Sequence, residues 1–113
     1  MNRKNSSVYL AIYNDIRLAN KRFGLSKQLE ISMLNAVYEA YLDQIQLRVL
    51  DLLLLEGLAS QATLHATLKS LQAKKLVEMK FDPTDGRIKL VLPTKLALKR
   101  LKECEIIIRN HCK

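Results

Sequence analysis

Residues 59–94 decide the fold of this chain, and their sequence is ASQATLHATLKSLQAKKLVEMKFDPTDGRIKLVLPT. The first part predicts a helix over 60–75, because Ser60 is a favourable N-cap and three leucines recur at helical spacing. Lys74 and Lys75 lie in its last turn, where cations are favourable against the helix dipole. A short helix with a defined start and end is therefore expected.

The second part predicts a β-hairpin. Residues 76–81 and 87–92 are rich in strand-forming side chains and flank the turn 82–86. In that turn Asp85 and Gly86 form a pair that supplies the positive φ of a tight hairpin. A basic hairpin directly behind a capped helix is the arrangement of winged helix-turn-helix proteins. This arrangement favours DNA binding over other functions.

The positive charge lies mainly in the same half of the chain. The 113 residues carry a formal net charge of +8. Up to Ala59 there are seven basic and six acidic residues, whereas from Ser60 onward there are twelve and five. A basic balance alone is weak evidence for a nucleic-acid partner, but its coincidence with the hairpin strengthens the prediction. The length and the absence of a linker predict one domain over residues 1–113.

Other classes of protein are disfavoured. The most apolar run, 50–55, contains an acid and is much shorter than the roughly 20 residues of a membrane helix, so no membrane segment is expected. The basic N-terminus lacks the uninterrupted apolar core of a signal peptide, which predicts a cytoplasmic protein. No nucleophile with a base, paired carboxylates or Gly-rich phosphate loop is recognisable. Neither an enzymatic activity nor a cofactor is therefore predicted.

Two cysteines and a histidine near the C-terminus raise the question of a metal site. Cys104 and Cys112 are eight residues apart in one predicted helix, about 12 Å along its axis, so they cannot form a disulfide with each other. His111 can share their helical face, but this spacing matches no compact zinc motif. Reduced thiols and no metal site are expected.

Helical periodicity predicts further helices at 6–23, 26–42, 48–57 and 94–109. Gly57 permits a sharp turn, so that the third and fourth helices form a helix-turn-helix over 48–75, with the wing over 76–92. A short extended contact is expected before the third helix, at Leu47 or Val49. The predicted fold class is mainly α with a small β-hairpin (α+β): a winged helix-turn-helix of about five helices plus a two-stranded wing.

The two terminal helices, 6–23 and 94–109, are apolar over a wider arc than one small core covers. In the last helix, Leu98 and Leu101 lie on one side, and Ile106 adds to a second apolar side. This excess predicts a homodimer that is built from the two ends of the chain. The alternative, in which the two helices pack only against each other, stays open.

The motifs in residues 59–94 resemble the winged helix-turn-helix regulators of the MarR type, particularly their short bacterial relatives. Four segments resemble, in order, the recognition helix, the strand after it, the wing turn with its arginine, and the closing strand with a helix cap: 63–71, 76–78, 82–87 and 91–94. Elsewhere the resemblance lies in the order of helices only.

The resemblance implies a dimer that binds double-stranded DNA, with its recognition helices in successive major grooves. Each wing arginine, here Arg87, would reach the adjacent minor groove or the backbone. Lys80 and Lys89 would be its partners at the phosphates.

The helix would supply the remaining contacts. Gln61 is suited to bond adenine, Thr63 a phosphate or base edge, and Lys69 the DNA backbone. For His65, a solvated helix residue and a DNA contact are equally open interpretations. The predicted DNA-binding residues are Ser60, Gln61, Thr63, His65, Lys69, Lys80, Arg87 and Lys89.

Three positions depart from the family pattern. Ala66 stands where a basic residue is common, Lys75 where a glycine precedes the strand, and Gly86 where a second arginine often occurs. Ala66, with Ala62, either contacts thymine methyls or leads to weak discrimination between sequences. No cluster of polar groups marks an effector pocket, so no small-molecule effector is predicted.

Two alternative functions stay open. A winged-helix module for protein contacts, such as an adaptor or antirepressor, is suggested by Ala62, Ala66 and the apolar terminal helices. A DNA-binding protein of plasmid or phage replication would have the same fold, and the sequence does not separate it from a transcriptional regulator.

Overall fold

The computed structural model describes residues 7–55, 57 and 59–112, which form five helices and one hairpin. The predicted start of the first helix, at residue 6, lies outside the described residues. In chain order the elements are α1 (Val8–Arg22), α2 (Gln28–Leu42), α3 (Val49–Leu53), α4 (Gln61–Ala73), β1 (Val77–Phe81), β2 (Lys89–Pro93) and α5 (Lys95–His111). The predicted fold class, a winged helix-turn-helix of five helices and a two-stranded wing, is confirmed.

α3 is shorter than the predicted 48–57. After its last residue, the N–H groups of Leu54 and Leu55 donate to carbonyls three residues back, both at 3.3 Å, so the chain tightens and leaves the α-helical path. Gly57 then has a φ of +79°, the left-handed conformation expected of the turn glycine. The other differences are small, since α2 begins two residues later than predicted and α5 ends two residues later.

The core lies where α2 and α4 meet the hairpin. The three leucines that recur at helical spacing in α4 are all buried, and they pack with apolar side chains of α2 and of both strands. The fully or nearly fully buried members of this cluster are Leu25, Met33, Leu34, Val37, Tyr38, Leu52, Leu64, Leu68, Leu71, Leu76, Val77, Val91 and Ala97. α4 is thus held against the body of the protein along one face, which leaves its opposite face to solvent.

The hairpin gains a third extended segment from the chain before α3. β1 and β2 pair antiparallel, with Val77 opposite Pro93. Arg48 forms an isolated bridge with Leu90, and the N–H of Val91 donates to the carbonyl of Leu47 at 2.8 Å. The predicted extended contact before the third helix is therefore confirmed, and it fixes the base of the wing to the helix-turn-helix.

The wing turn does not use the left-handed glycine that was predicted. Gly86 does not have a left-handed φ, and seven residues separate the two strands. The N–H of Asp82 donates to the carbonyl of Ile88 at 2.8 Å, while the carboxylate of Asp82 accepts a hydrogen bond from the N–H of Thr84 at 2.9 Å. Bonds between carboxylates and the backbone therefore shape a longer loop in place of the tight turn.

α4 ends in a left-handed residue that is not glycine. Lys75 has a φ of +62°. Its N–H donates to the carbonyl of Gln72, and the N–H of Leu76 donates to that of Leu71, both at 3.0 Å, which is the Schellman arrangement. The departure from the family's glycine thus leaves the backbone conformation in place. It adds a strain of about 1 kcal/mol from the side chain.

Replacement of Lys75 by glycine should stabilise the protein. We expect Lys75→Gly to raise the free energy of unfolding by roughly 0.5 to 1 kcal/mol, because glycine adopts the left-handed conformation without strain. Urea denaturation followed by circular dichroism measures the change. Lys75→Ala is the control, since it removes the charge and retains the strain. Equal stability of the two variants would contradict this explanation.

Candidate nucleic-acid interface

α4 presents to solvent an exposed face on which polar side chains alternate with alanines. Its inward side consists of Leu64, Leu68 and Leu71, each at most 1% exposed. Positions on the other side are exposed because they lie away from this leucine stripe on the helix. The exposed residues of α4 are Gln61, Ala62, Thr63, His65, Ala66, Lys69, Gln72 and Ala73. The predicted contacts on the recognition helix therefore all lie on one accessible surface.

The first turn of α4 is held by two hydroxyl side chains. Ser60 accepts a hydrogen bond from the N–H of Thr63 at 3.2 Å, which confirms it as the N-cap, and its hydroxyl also donates to the hydroxyl of Thr63 at 3.0 Å. The N–H groups of Gln61 and Ala62, which precede the first intrahelical bond, point out of the helix end. This end is suited to an anion such as a phosphate.

The tip of the wing is organised around two aspartates. Asp82 accepts hydrogen bonds from the backbone and the hydroxyl of Thr84, and these bonds hold the pKa of Asp82 below its usual range. Asp85 accepts a hydrogen bond from the backbone N–H of Arg87 at 3.1 Å. The loop therefore has a defined shape although it is exposed to solvent.

Arg87 lies at the wing tip with a free outer surface. Its side chain is 91% exposed. Nε and Nη2 donate to the two carboxylate oxygens of Asp85 at 3.2 and 3.3 Å, and this hydrogen bond lowers the pKa of Asp85. An exposed ion pair of this kind contributes little to stability, so it orients the guanidinium without preventing exchange for a phosphate.

The two predicted lysines of the wing lie on opposite faces of the hairpin. Lys80 is paired with Leu90, whereas Lys89 is paired with Phe81, and successive residues of a strand alternate between faces. The ammonium of Lys80 lies 3.8 Å from a carboxylate oxygen of Glu78, and that of Lys89 lies 5.7 Å from the centre of the Phe81 ring. A ligand on one face of the hairpin therefore cannot contact both lysines in the same way.

A groove of about 360 Å³ separates α4 from the wing. It brings together four of the predicted residues, namely His65, Lys69, Lys80 and Lys89. Sequence reasoning missed Gln72 and Phe81, which line the same groove. Gln72 was detectable because it lies one turn after Lys69, whereas the position of Phe81 depends on the pairing of the strands.

Ser60, Gln61, Thr63 and Arg87 do not line this groove. The first three lie at the start of α4, and Arg87 lies at the wing tip. The predicted residues therefore form three groups along one basic region: the helix start, the groove and the wing tip.

A second cavity, of about 570 Å³, lies between α1 and α2 and was not indicated by the sequence. Its lining includes Tyr13, Arg17, Asn20 and Asn35, together with Arg100 from α5. Residues from three helices form it, so no local pattern in the chain marks it.

The described residues contain no group of three or more side chains that could hold a metal ion. Cys104 and Cys112 are free thiols within and at the end of α5, and burial raises the pKa of the Cys104 thiol. None of the helices described is long and apolar enough to cross a membrane.

These elements define a winged helix-turn-helix protein, in which α3 and α4 are the helix-turn-helix and β1 with β2 is the wing. Its fold is that of MarR-type transcription regulators. MepR of S. aureus, in a structure with DNA, aligns with 91% of this chain and 73% of its own, at a TM-score of 0.75 and 18% identity. Tm0710 of Thermotoga maritima, a transcriptional regulator, aligns with 91% of this chain and 68% of its own, at a TM-score of 0.67 and 18% identity.

A MarR-like transcription regulator of Bacillus cereus aligns with 92% of this chain and 70% of its own, at a TM-score of 0.60 and 14% identity. No protein-family model matches the amino-acid sequence, and no curated protein is similar to it by sequence. The likeness to known proteins is therefore one of fold, and the function has to be argued from the residues of this chain.

Proposed function

We propose that this protein is a homodimeric, DNA-binding transcriptional regulator of the MarR type. The observation that carries the proposal is the exposed outer face of α4, with Gln61, Thr63 and Lys69, which lies beside a basic wing in the strongly basic half of the chain. The fold it shares with MepR supports the proposal, since MepR forms a complex with DNA. Within this proposal the protein acts in the cytoplasm and has no catalytic function.

In the proposed complex, α4 enters the major groove with its first turn foremost. Gln61 hydrogen-bonds a base edge, and the hydroxyls of Ser60 and Thr63 contact the phosphate or base beside it. Lys69 and His65 line the groove between α4 and the wing, and from there they contact the DNA backbone. This assignment uses the exposed side of the helix only.

The wing supplies contacts on either side of the hairpin. Arg87 reaches the adjacent minor groove or its phosphates, where its guanidinium exchanges Asp85 for a stronger anion. Lys80 and Lys89 both line the groove beside α4, but they lie on opposite faces of the hairpin and bind different phosphates. Because the two lysines lie on opposite faces of the hairpin, a wing placed between two DNA strands can contact the phosphates of both.

Exposed apolar side chains on α1 and α5 support the homodimer. The two helices do pack on each other, and a hydrogen bond between the side chains of Asp15 and His111 at 2.7 Å joins them. They nevertheless leave a set of apolar side chains 39% to 69% exposed: Val8, Tyr9, Leu10, Tyr13, Leu18, Leu96, Ile106 and Ile108. Packing of the two helices on each other is therefore not sufficient to cover them.

The shape of the protomer supports the same conclusion. The radius of gyration is 16.0 Å, against about 13 Å for a compact domain of this length, and the longest dimension is 57 Å. An elongated protomer with apolar terminal helices is suited to association with a second copy.

A charge on this apolar surface should separate the protomers. We expect Ile108→Glu to convert the dimer to a monomer at micromolar concentration, because association would bury a carboxylate without a partner. Analytical ultracentrifugation measures the change. Leu42→Glu is the matched control, since Leu42 is 63% exposed on α2. A dimeric Ile108→Glu variant would show that α5 is not in the interface, and a monomeric wild type would refute the homodimer.

Selection of bound duplexes from a random pool tests the function directly. The enriched duplex is then titrated with the wild-type protein at two salt concentrations. The proposal expects a two-fold symmetric site with half-sites about one helical turn apart, and an affinity that falls steeply with salt. Binding without enrichment would favour a non-specific or replication role instead. No binding at all would refute the regulator and favour a module for protein contacts.

A further inference from the structure

A buried carboxylate joins the start of α2 to the end of α4. Glu30 is only 2% exposed. Its Oε1 accepts a hydrogen bond from the backbone N–H of Lys27 at 3.4 Å, and its Oε2 accepts from the hydroxyl of Ser70 at 2.7 Å and the ammonium of Lys74 at 2.5 Å. Burial raises the pKa of Glu30, but the hydrogen bonds from Lys74 and Ser70 outweigh it and lower the pKa overall. Glu30 is therefore ionised at neutral pH.

The hydrogen bond from the N–H of Lys27, the residue before α2, gives Glu30 a capping role at the start of this helix. This role does not account for its contacts with α4. Capping uses one carboxylate oxygen and does not require burial. Asp51 performs the same role in α3, where it accepts a hydrogen bond from the N–H of Arg48 at 3.0 Å with a side chain that is 33% exposed. Burial of a carboxylate is unfavourable, and an apolar side chain would fill the same space more favourably. The second carboxylate oxygen of Glu30 therefore has a separate role, which is to hold the end of α4.

The hydrogen bonds of Glu30 fix the orientation of α4, which apolar contacts alone do not fix. Leu64, Leu68 and Leu71 attach α4 to the core through hydrophobic contacts, which do not depend on direction. Ser70 and Lys74 are four residues apart and lie on one face of the helix. Hydrogen bonds from both to one oxygen restrict the rotation of α4 about its axis and its tilt against α2.

We propose that Glu30 is a positioning residue for DNA recognition, which holds α4 through Ser70 and Lys74 at the angle where Gln61 reaches a base edge. This inference rests on the proposed function. Gln61 and Ser70 are nine residues apart, about 13 Å along the helix. A tilt of about 10° at the anchored end would move the first turn by about 2 Å, which exceeds the tolerance of a base hydrogen bond.

The test compares the binding of two duplexes by the full-length protein. We expect Glu30→Gln to bind the enriched duplex about tenfold more weakly, the equivalent of one good base contact, and a scrambled duplex with unchanged affinity. The slope of affinity against salt should stay the same, because no phosphate contact is lost. Amide chemical shifts of residues 61–66 in the DNA-free protein should also move, since the anchor of α4 is altered.

Two control variants separate positioning from charge and from stability. Glu39→Gln removes an exposed carboxylate from the same helix and should leave the preference between the duplexes intact. Val37→Ala removes buried methyl groups from α2 and none of the polar contacts, so it should lower stability without a loss of preference. An equal loss of preference in Val37→Ala would overturn the inference.

A double variant tests whether directionality or packing matters. Glu30→Met with Lys74→Met replaces the ion pair by apolar side chains, which should retain stability. We expect this variant to fold normally and still to lose the preference for the enriched duplex. If it keeps the preference, or if Glu30→Gln keeps it, the positioning role is wrong. A wild-type protein without any preferred duplex would instead refute the proposed function.

Discussion

Replacement of Arg87 by alanine should weaken DNA binding on every sequence, by about sixtyfold at 0.1 M salt. Each phosphate that a protein neutralises contributes about 0.9 to the slope of log affinity against log salt. The proposed homodimer carries two wing arginines, so Arg87→Ala should flatten that slope by about two units. The 91% exposure of the side chain indicates that its removal leaves the fold intact. Fluorescence anisotropy with a labelled duplex at four salt concentrations measures both quantities.

A matched variant separates the contact from the general charge of the protein. Arg17→Ala removes the same charge from α1, away from α4 and the wing, and we expect less than a twofold effect. If Arg87→Ala changes neither affinity nor slope, the wing does not contact DNA. If both variants act equally, the net charge of the protein determines binding and the wing has no special position.

Local patterns in the sequence were sufficient for most of the fold. The N-caps at Ser60 and Thr94 and the leucine stripe of α4 depend on residues within one or two turns of the helix. These features can be predicted from the sequence because capping and amphipathicity depend on neighbouring residues. The end of α3 and the conformation of Gly86 were predicted wrongly. Hydrogen bonds to carbonyls three residues back end α3 early, and the hydrogen bonds of Asp82 shape a longer wing loop in which Gly86 has no left-handed φ.

The candidate site was predictable in composition and less so in geometry. Lys80 and Lys89 were recognisable as basic wing residues, but their faces depend on the length of the loop between the strands. With a loop of seven residues the two lysines lie on opposite faces of the hairpin. A loop that is one residue longer or shorter would shift the register by one and place them on the same face. The contact of Glu30 with Lys74 spans 44 residues, and no local pattern indicates such a pair. Long-range polar contacts of this kind can be recognised only in the folded structure.

The polar contact between α1 and α5 is the place where one substitution should cost most stability. Arg100 is 4% exposed and Asn20 is 6% exposed. Nε and Nη2 of Arg100 donate to Oδ1 of Asn20 at 3.0 and 2.8 Å, and the guanidinium lies 5.9 Å from the centre of the Tyr38 ring. We expect Asn20→Leu to lower the free energy of unfolding by roughly 3 kcal/mol, because it leaves a buried cation without its acceptor.

Urea denaturation at one fixed protein concentration measures this loss, since the stability of the proposed dimer would depend on concentration. Asn14→Leu is the control, because it makes the same change at an exposed position of α1 and should have little effect. Addition of Arg100→Met to Asn20→Leu should recover part of the lost stability, since the unpaired cation is then removed as well. A loss below about 1 kcal/mol in Asn20→Leu would mean that the guanidinium finds another acceptor. The hydrogen bonds between Arg100 and Asn20 would then not be what holds the two terminal helices together.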